Sequence, residues 1–338
     1  MAEPDQPGPP TSGAGENNKG GDEQSAAALQ SPVSERHSLE KSQSSTGSLS
    51  LSGSIFEQIQ ENDRGYANES YFMPCDEKEQ TRLAIVHQCF ISMLSGQLSF
   101  QNIPRNAKRI LDVGTGIGDW AIAVAERFPT AEVTATDITC FQPTDVPPNV
   151  FFEIDDAQEE WTYTEPFDFI HLRGLSGAFS DWAAVYKEAH KHLQGNGILE
   201  VADFGNITTI EPIADSYLSI YNGACLSAAE KSGVTLGLDH MKKALLESAG
   251  FSVAKTRTFD IPLGTWSNDP RKKLAGKMAL IAALEGLEAT SLRLLTRHMA
   301  WKAEDVRDLC AKVQEELMRP GVRPTVSCQF TVARKLMM

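Results

Sequence analysis

From residue 76 onward, apolar and polar positions alternate between two periods. Leu83, Val86, Phe90, Met93 and Leu94 recur at helical spacing. They predict a helix over 76–98, with Asp76 as N-cap and Glu79 completing a capping box. Short runs rich in β-branched and apolar residues follow at 109–114, 132–137, 151–155, 167–172 and 197–204. Helical patterns fill the gaps, to residue 128 after the first run and over 181–193 before the last. Strands separated by helices imply a parallel sheet with right-handed crossovers, the α/β class. Beyond it the pattern predicts helices over 213–232 and 240–249, with Gly250 at the C-cap, then a strand at 251–258. Helices at 270–288, 290–298 and 303–318 lead to a last strand at 325–334, expected antiparallel beside the sixth.

Residues 1–54 break the pattern. They hold 12 Ser, 7 Gly and 5 Pro but no aromatic residue, too little apolar surface to offset the entropy of ordering. The expected organisation is a disordered arm over 1–54, a helical cap over 55–100 and the main domain over 101–338. Aromatic residues return at Phe56, Tyr66, Tyr71 and Phe72.

The chain of 338 residues carries 31 Lys and Arg against 45 Asp and Glu, a formal charge of −14. That balance opposes a sequence-independent grip on phosphates, so no direct nucleic-acid partner is expected. The six Cys lie far apart with no CxxC, which indicates neither a zinc site nor a disulfide framework. His190 and His192 are two apart on a predicted helix and point away from each other, so no metal is proposed. With no signal-like leader and no run of 18 apolar residues, the expectation is a protein without a membrane span, cytoplasmic, nuclear or both.

The segment with most chemical content is 110–120, where a buried strand runs into Gly114, Thr115, Gly116 and Gly118 and a helix begins directly afterwards. Such glycines permit positive φ and let a ligand lie against bare backbone. A dinucleotide loop wants GxGxxG so that pyrophosphate meets the helix N-terminus. Here the spacing is GxGxG, and Asp112 precedes it by two residues, a charge that repels phosphate and suits an ammonium or sulfonium. Asp137, followed by Ile138, ends the next strand, where a carboxylate can accept both hydroxyls of a ribose. Asp155, Asp156 and Ala157 end the third, at the depth of an adenine amino group, with Trp161 near enough in sequence to close over a purine. Read plainly, these acids are strand-end caps; together they form an adenosine pattern.

These residues resemble the class I S-adenosylmethionine-dependent methyltransferases, and within them the fungal LaeA-like family. The resemblance rests on DVGTGIGDWAI at 112–122, VPPNVFFEIDDA at 146–157, WTY at 161–163 and FDFIHLR at 167–173, followed by Asp181 and Trp182. Upstream, ENDRGY at 61–66 and the stretch from Asp76 through Arg82 to His87 look like the family's N-terminal element. The match spans about residues 60–203. It implies a seven-stranded, mostly parallel Rossmann-like sheet with helices on both faces and S-adenosyl-L-methionine as cofactor. It also implies a methyl acceptor, protein or small metabolite, a link to fungal development or secondary metabolism, and protein partners in a regulatory complex. The chain departs from the family at Ala67, where an imidazole is usual, and at Gln194 to Gly197, where a Pro-Gly-Gly turn is usual.

Methyl transfer from a sulfonium is an in-line displacement with a good leaving group, so positioning supplies most of the catalysis. An oxygen acceptor also needs a base. His171, at the end of the fourth strand, is the candidate, the alternative being a packed strand-end histidine. Tyr66 and Arg82 would reach over the cofactor's amino-acid end, with Arg82 forking to its carboxylate or, alternatively, to Glu77 or Glu79 on its own helix. Tyr71, Phe72, Trp182 and Tyr186 read as core. The functional alternative to an active enzyme is a catalytically silent methyltransferase fold that works through protein contacts.

Overall fold

The computed structural model describes residues 58–336; the expected arm at 1–54 lies outside them. A short hairpin opens the chain, β1 (Ile59–Glu61) and β2 (Arg64–Tyr66), with Asn62 and Asp63 both at positive φ (51° and 62°) in its turn. Two consecutive positive φ values suit a two-residue hairpin, because that twist matches the flanking strands. No strand was expected here.

Helix α1 (Glu77–Met93) is capped by Asp76, whose carboxylate accepts from the Glu79 N–H at 3.0 Å. It ends short of residue 98 because Ser95 and Gly96 turn to positive φ. The box is half-made, since Glu79 grips Arg82 instead of reaching back.

Seven strands form the central sheet: β3 (Arg109–Val113), β4 (Glu132–Asp137), β5 (Val150–Ile154), β6 (Phe167–Arg173), β7 (Leu193–Thr209), β8 (Phe251–Pro262) and β9 (Pro324–Lys335). Their order is β5-β4-β3-β6-β7-β9-β8. The first five pair in parallel, while β9 runs antiparallel to both β7 and β8, between them. The sheet matches the seven-stranded, mostly parallel α/β expectation. β7 is longer than 197–204, and its pairing with β9 slips between Phe204 and Ile207. That slip turns Gly205 and Asn206 out of the ladder, and both border the cavities described below.

Helices α2 (Asp119–Arg127) and α3 (Trp182–His192) connect the parallel strands. α4 (Tyr217–Ser232), α5 (Lys243–Ser248), α6 (Pro270–His298) and α7 (Ala303–Met318) complete the layers. The two helices expected at 270–288 and 290–298 are one. Neither Gly nor Pro interrupts residues 287–298, and the Ser291 and Thr296 hydroxyls bond back to the carbonyls of Leu287 and Leu292.

Residues 58–100 share the core of the sheet. Cys89 and Phe90 of α1 pack with Ala202, Ile261, Ala279 and Phe330. Arg293 of α6, 2 % exposed, lies 4.1 Å over the Tyr66 ring and donates to Glu61 and to the Asn68 and Tyr71 carbonyls. These bonds hold the segment leading to Tyr71 against the rest of the fold.

Candidate active site

β3 is buried along most of its length and ends in the glycine turn. Gly114 and Gly116 have φ of 66° and 60°, and the Thr115 N–H donates to the Thr136 carbonyl of β4, tying the turn to the neighbouring strand. A Cβ on Gly114 would lie 2.4 Å from the Leu175 side chain at a φ of 66°, two reasons that favour glycine there. Gly118 does something else. It is the N-cap of α2 at φ 86°, under the Phe152 ring, and it borders neither cavity. Its role is to let helix and strand approach, which corrects the expectation that it touches a ligand.

Two cavities meet at this turn, on the carboxyl ends of the strands where ligands of open α/β sheets bind. The larger, about 320 Å³, is bordered by Asp112, Gly114, Thr115, Gly116, Asp119 and Asp137, with Arg82, His87, Arg173 and Asp203 across from them. The smaller, about 190 Å³, is bordered by Asp137, Ile138, Asp155, Asp156, Ala157 and Phe179. Tyr71, Gly114, Asp137 and Leu175 border both. The residues assigned to an adenosine from sequence, Trp161 excepted, therefore fall at the smaller cavity, and the glycine-turn residues other than Gly118 fall at the larger.

Asp137 sits between them. Its carboxylate accepts from the Gly116 N–H (2.7 Å), the Thr139 N–H (3.0 Å) and the Thr139 hydroxyl (2.7 Å). Burial raises its pKa against the lowering effect of those bonds. With four lone-pair sites and three donors, it keeps accepting capacity toward the cavity. Asp112, 3 % exposed, accepts from the Thr115 hydroxyl at 2.6 Å and faces His171 Nδ1 at 2.8 Å.

That pairing decides what His171 is. It is 1 % exposed, stacks on Trp120 at 3.7 Å and 11°, and borders neither cavity. Burial lowers its pKa, so it is a neutral ring donating Nδ1–H to the Asp112 carboxylate. His171 positions Asp112 and borders neither cavity, which makes it the packed strand-end histidine of the two sequence readings and not the candidate base. Tyr66 also lies away from the cavities, fully buried under Arg293, where burial pushes its phenol up to about 12. Trp161 does not close over a purine. It is 4 % exposed in the α3-side core, where its indole N–H donates to the Ala157 carbonyl and its ring meets Tyr163 edge-on.

Arg82 does border the larger cavity, but its Nε and Nη2 fork onto Glu79 at 2.8 and 2.6 Å. Burial opposes its charge, and the Glu79 bond and charge outweigh it, so the net pKa rises. The cation with spare donors is Arg173, at the end of β6. It donates to His87 Nδ1 at 3.0 Å and lies 4.8 Å over the Phe90 ring. Burial, then the neighbouring Arg173 charge, drives His87 down to about 4, so it accepts as a neutral imidazole. Asp119, Arg173 and Asp203 went unassigned in sequence. Their signal is position: Asp119 directly follows the glycine turn, Arg173 ends β6, and Asp203 stands where the parallel pairing of β7 stops at Ala202.

The lining fits an adenosyl sulfonium amino acid. The larger cavity has bare glycine backbone, and its acids Asp112, Asp119, Asp137, Asp203 and Glu79 outnumber Arg82 and Arg173. The described residues offer no group of three His, Cys, Asp or Glu placed to hold a metal, and no described helix is long and apolar enough to cross a membrane.

Comparison with known proteins agrees. The sequence pattern of a methyltransferase domain matches residues 90–255. The chain is 33 % identical over 277 residues to methyltransferase pytC of Aspergillus terreus, covering 80 % of this chain and 85 % of that protein. It is 32 % identical over 285 residues to the secondary metabolism regulator LAE1 of Cochliobolus heterostrophus, covering 80 % and 92 %. The secondary metabolism regulator laeA of Aspergillus fumigatus is 29 % identical over 322 residues, covering 91 % and 85 %. The chain thus belongs to the LaeA-like family of S-adenosylmethionine-dependent methyltransferases, linked to secondary metabolism and acting on a methyl acceptor.

Proposed function

We propose that S-adenosylmethionine lies across the two cavities with its ribose on Asp137. Its adenine then sits among Ile138, Asp155, Asp156 and Ala157, and its amino-acid end over the backbone of Gly114 to Gly116. The observation that carries this reading is Asp137, shared by both cavities and held by three donors with accepting capacity left over. When bound, the cofactor supplies an electrophilic methyl group on a sulfonium. The chain's residues orient it. Asp112, steadied by His171 and Thr115, and Asp119 at the α2 N-terminus offer negative charge to its ammonium. Arg173, rather than the Arg82 expected from sequence, faces its carboxylate. Tyr71, anchored through its carbonyl to Arg293, walls both cavities and keeps water from the junction.

Calorimetric titration with S-adenosylmethionine and S-adenosylhomocysteine tests this. The expected result is one-to-one binding, lost in Asp137→Ala and weakened in Arg173→Met but not in Tyr66→Phe. Equal binding by all four proteins would refute the placement. The relatives named as regulators favour an added proposal, that the enzyme works beside protein partners. Exposed Ile220 and Leu226 of α4 and Leu274 and Ile281 of α6 are the apolar side chains such a partner would cover.

A further inference from the structure

A third cavity, about 200 Å³, adjoins the larger one and shares Arg82, Val86, Phe204, Gly205, Asn206 and Leu236 with it. Its far wall is a face of α6, where Ala279, Ala282, Ala283 and Gly286 recur at i, i+3, i+4 and i+7. Small side chains on that face leave the space open between α6, α4 and the end of β7. Natural interiors close such space, because an empty void forfeits contacts on every side. An apolar cavity of about 150 Å³ already accepts benzene.

The lining is chemically narrow. Arg82 is the one charged side chain among the described residues that border it, and Glu79 neutralises it. Burial raises the Cys89 and Cys225 thiols to about 11 and about 12, so both are neutral. Tyr221 has given its donor to the Leu287 carbonyl, and Asn222 one of its two to the Ile207 carbonyl. A phosphate, a carboxylate or a protonated lysine would find no counter-charge here, and a peptide backbone would find few partners.

At the junction with the cofactor cleft stands an unused acceptor. Asp203, at the parallel end of β7, is 3 % exposed and borders the larger cavity beside Phe204 and Gly205. One carboxylate oxygen accepts from the Phe204 N–H at 2.8 Å, while Oδ2 has no hydrogen-bond partner among the described residues. Behind it lies His240, 2 % exposed and stacked on Trp182 at 4.1 Å, with Nε2 3.4 Å from Oδ2 and neither ring nitrogen hydrogen-bonded.

We infer that this third cavity is the methyl-acceptor pocket, that its occupant is a small, neutral, apolar ring compound, and that Asp203 accepts the hydrogen bond of the hydroxyl or amine to be methylated. The inference rests on the cofactor placement proposed above. As that oxygen or nitrogen gains the methyl group, its proton passes to the Asp203 carboxylate, and the electron pair of the broken S–C bond stays on sulfur. His240, the buried neighbour of Asp203, is a positioning residue.

The test uses the full chain saturated with S-adenosylhomocysteine, and 2-naphthol as probe with naphthalene as its hydroxyl-free counterpart. Saturable one-to-one binding of 2-naphthol is expected, at least tenfold tighter than naphthalene, with that preference falling below threefold in Asp203→Leu. Gly286→Met fills the cavity from a position where a Cβ meets nothing closer than 3.8 Å. It should weaken 2-naphthol at least tenfold while leaving the affinity for S-adenosylhomocysteine unchanged, and Ala282→Leu provides the same test at a second site. Normal product binding with no saturation by 2-naphthol, or undiminished uptake by both filled variants, overturns the pocket. Equal binding of the two probes overturns the role of Asp203. Loss of product binding in the wild type instead overturns the cofactor placement, and the pocket with it.

Discussion

Replacing Asp137 by Ala removes the acceptor on which the cofactor placement depends, and its cost can be worked from the contacts. The carboxylate holds Gly116, Thr139 N–H and Thr139 hydroxyl at 2.7, 3.0 and 2.7 Å. These donors border cavity space that water refills, so their loss costs about 1–2 kcal/mol of folding stability, a fall of about 2–6 °C in Tm. Burial has raised the Asp137 pKa, and removing a partly desolvated charge offsets some of that cost. Binding should suffer more. Two ribose hydroxyls donating to a charged acceptor contribute about 1.5 kcal/mol each at the low end of the range, so the Kd for S-adenosylhomocysteine should rise roughly 100-fold. Isothermal titration of both proteins, with thermal melts on the same samples, separates the two effects. A Kd within threefold of wild type, with the melt shifted as expected, would show that Asp137 holds the turn but no ribose.

Other substitutions probe the supporting structure. His171→Phe keeps the stack on Trp120 but strips a donor from buried Asp112, so urea unfolding should lose about 2 kcal/mol; an unchanged midpoint would show the pair to be idle. His87, held near 4 against an ordinary 6.5, takes up its proton in the unfolded chain first, so stability present above pH 6.5 is lost as pH falls toward 4. The loss should reach about 3 kcal/mol, and in His87→Gln, whose side-chain oxygen still accepts from Arg173, that part of the acid limb should flatten. An identical limb in both proteins would assign it to other groups. Glu316, 1 % exposed, accepts from the Ser216 hydroxyl and the Tyr217 and Leu218 N–H groups at the start of α4. Glu316→Ala should cost about 3 kcal/mol in denaturant unfolding, and a change under about 1 would contradict the cap.

Local pattern and short spacing determined much of this protein. Strand and helix periods predicted the parallel sheet, because side-chain alternation is a property of a few consecutive residues. Asp112, the glycine turn, Asp137 and Asp155 to Ala157 were legible for the same reason, since each cavity-lining position lies at or just past the carboxyl end of a strand. The positive φ values of Asn62 and Asp63 left only a faint trace, and in the single helix α6 the Ser291 and Thr296 hydroxyls, which in sequence suggest a break, bond back within the helix.

What a residue faces was decided only by tertiary structure. His171 and Arg173 are two apart on one strand, yet the register of β6 against β3 sets His171 beside Asp112 under Trp120, and the strand's end presents Arg173 to the cavity. Of the two partners the sequence offered Arg82, a cofactor carboxylate or an acid on its own helix, the structure takes Glu79. Asp203 and His240 meet because β7, where its parallel pairing stops, passes beside the single turn at Asp239–Met241, and the third cavity exists because α6, α4 and β7 converge. Strand and helix periods are local and survive in the order of residues; burial, pairing and empty space are properties of surfaces brought together by the whole chain.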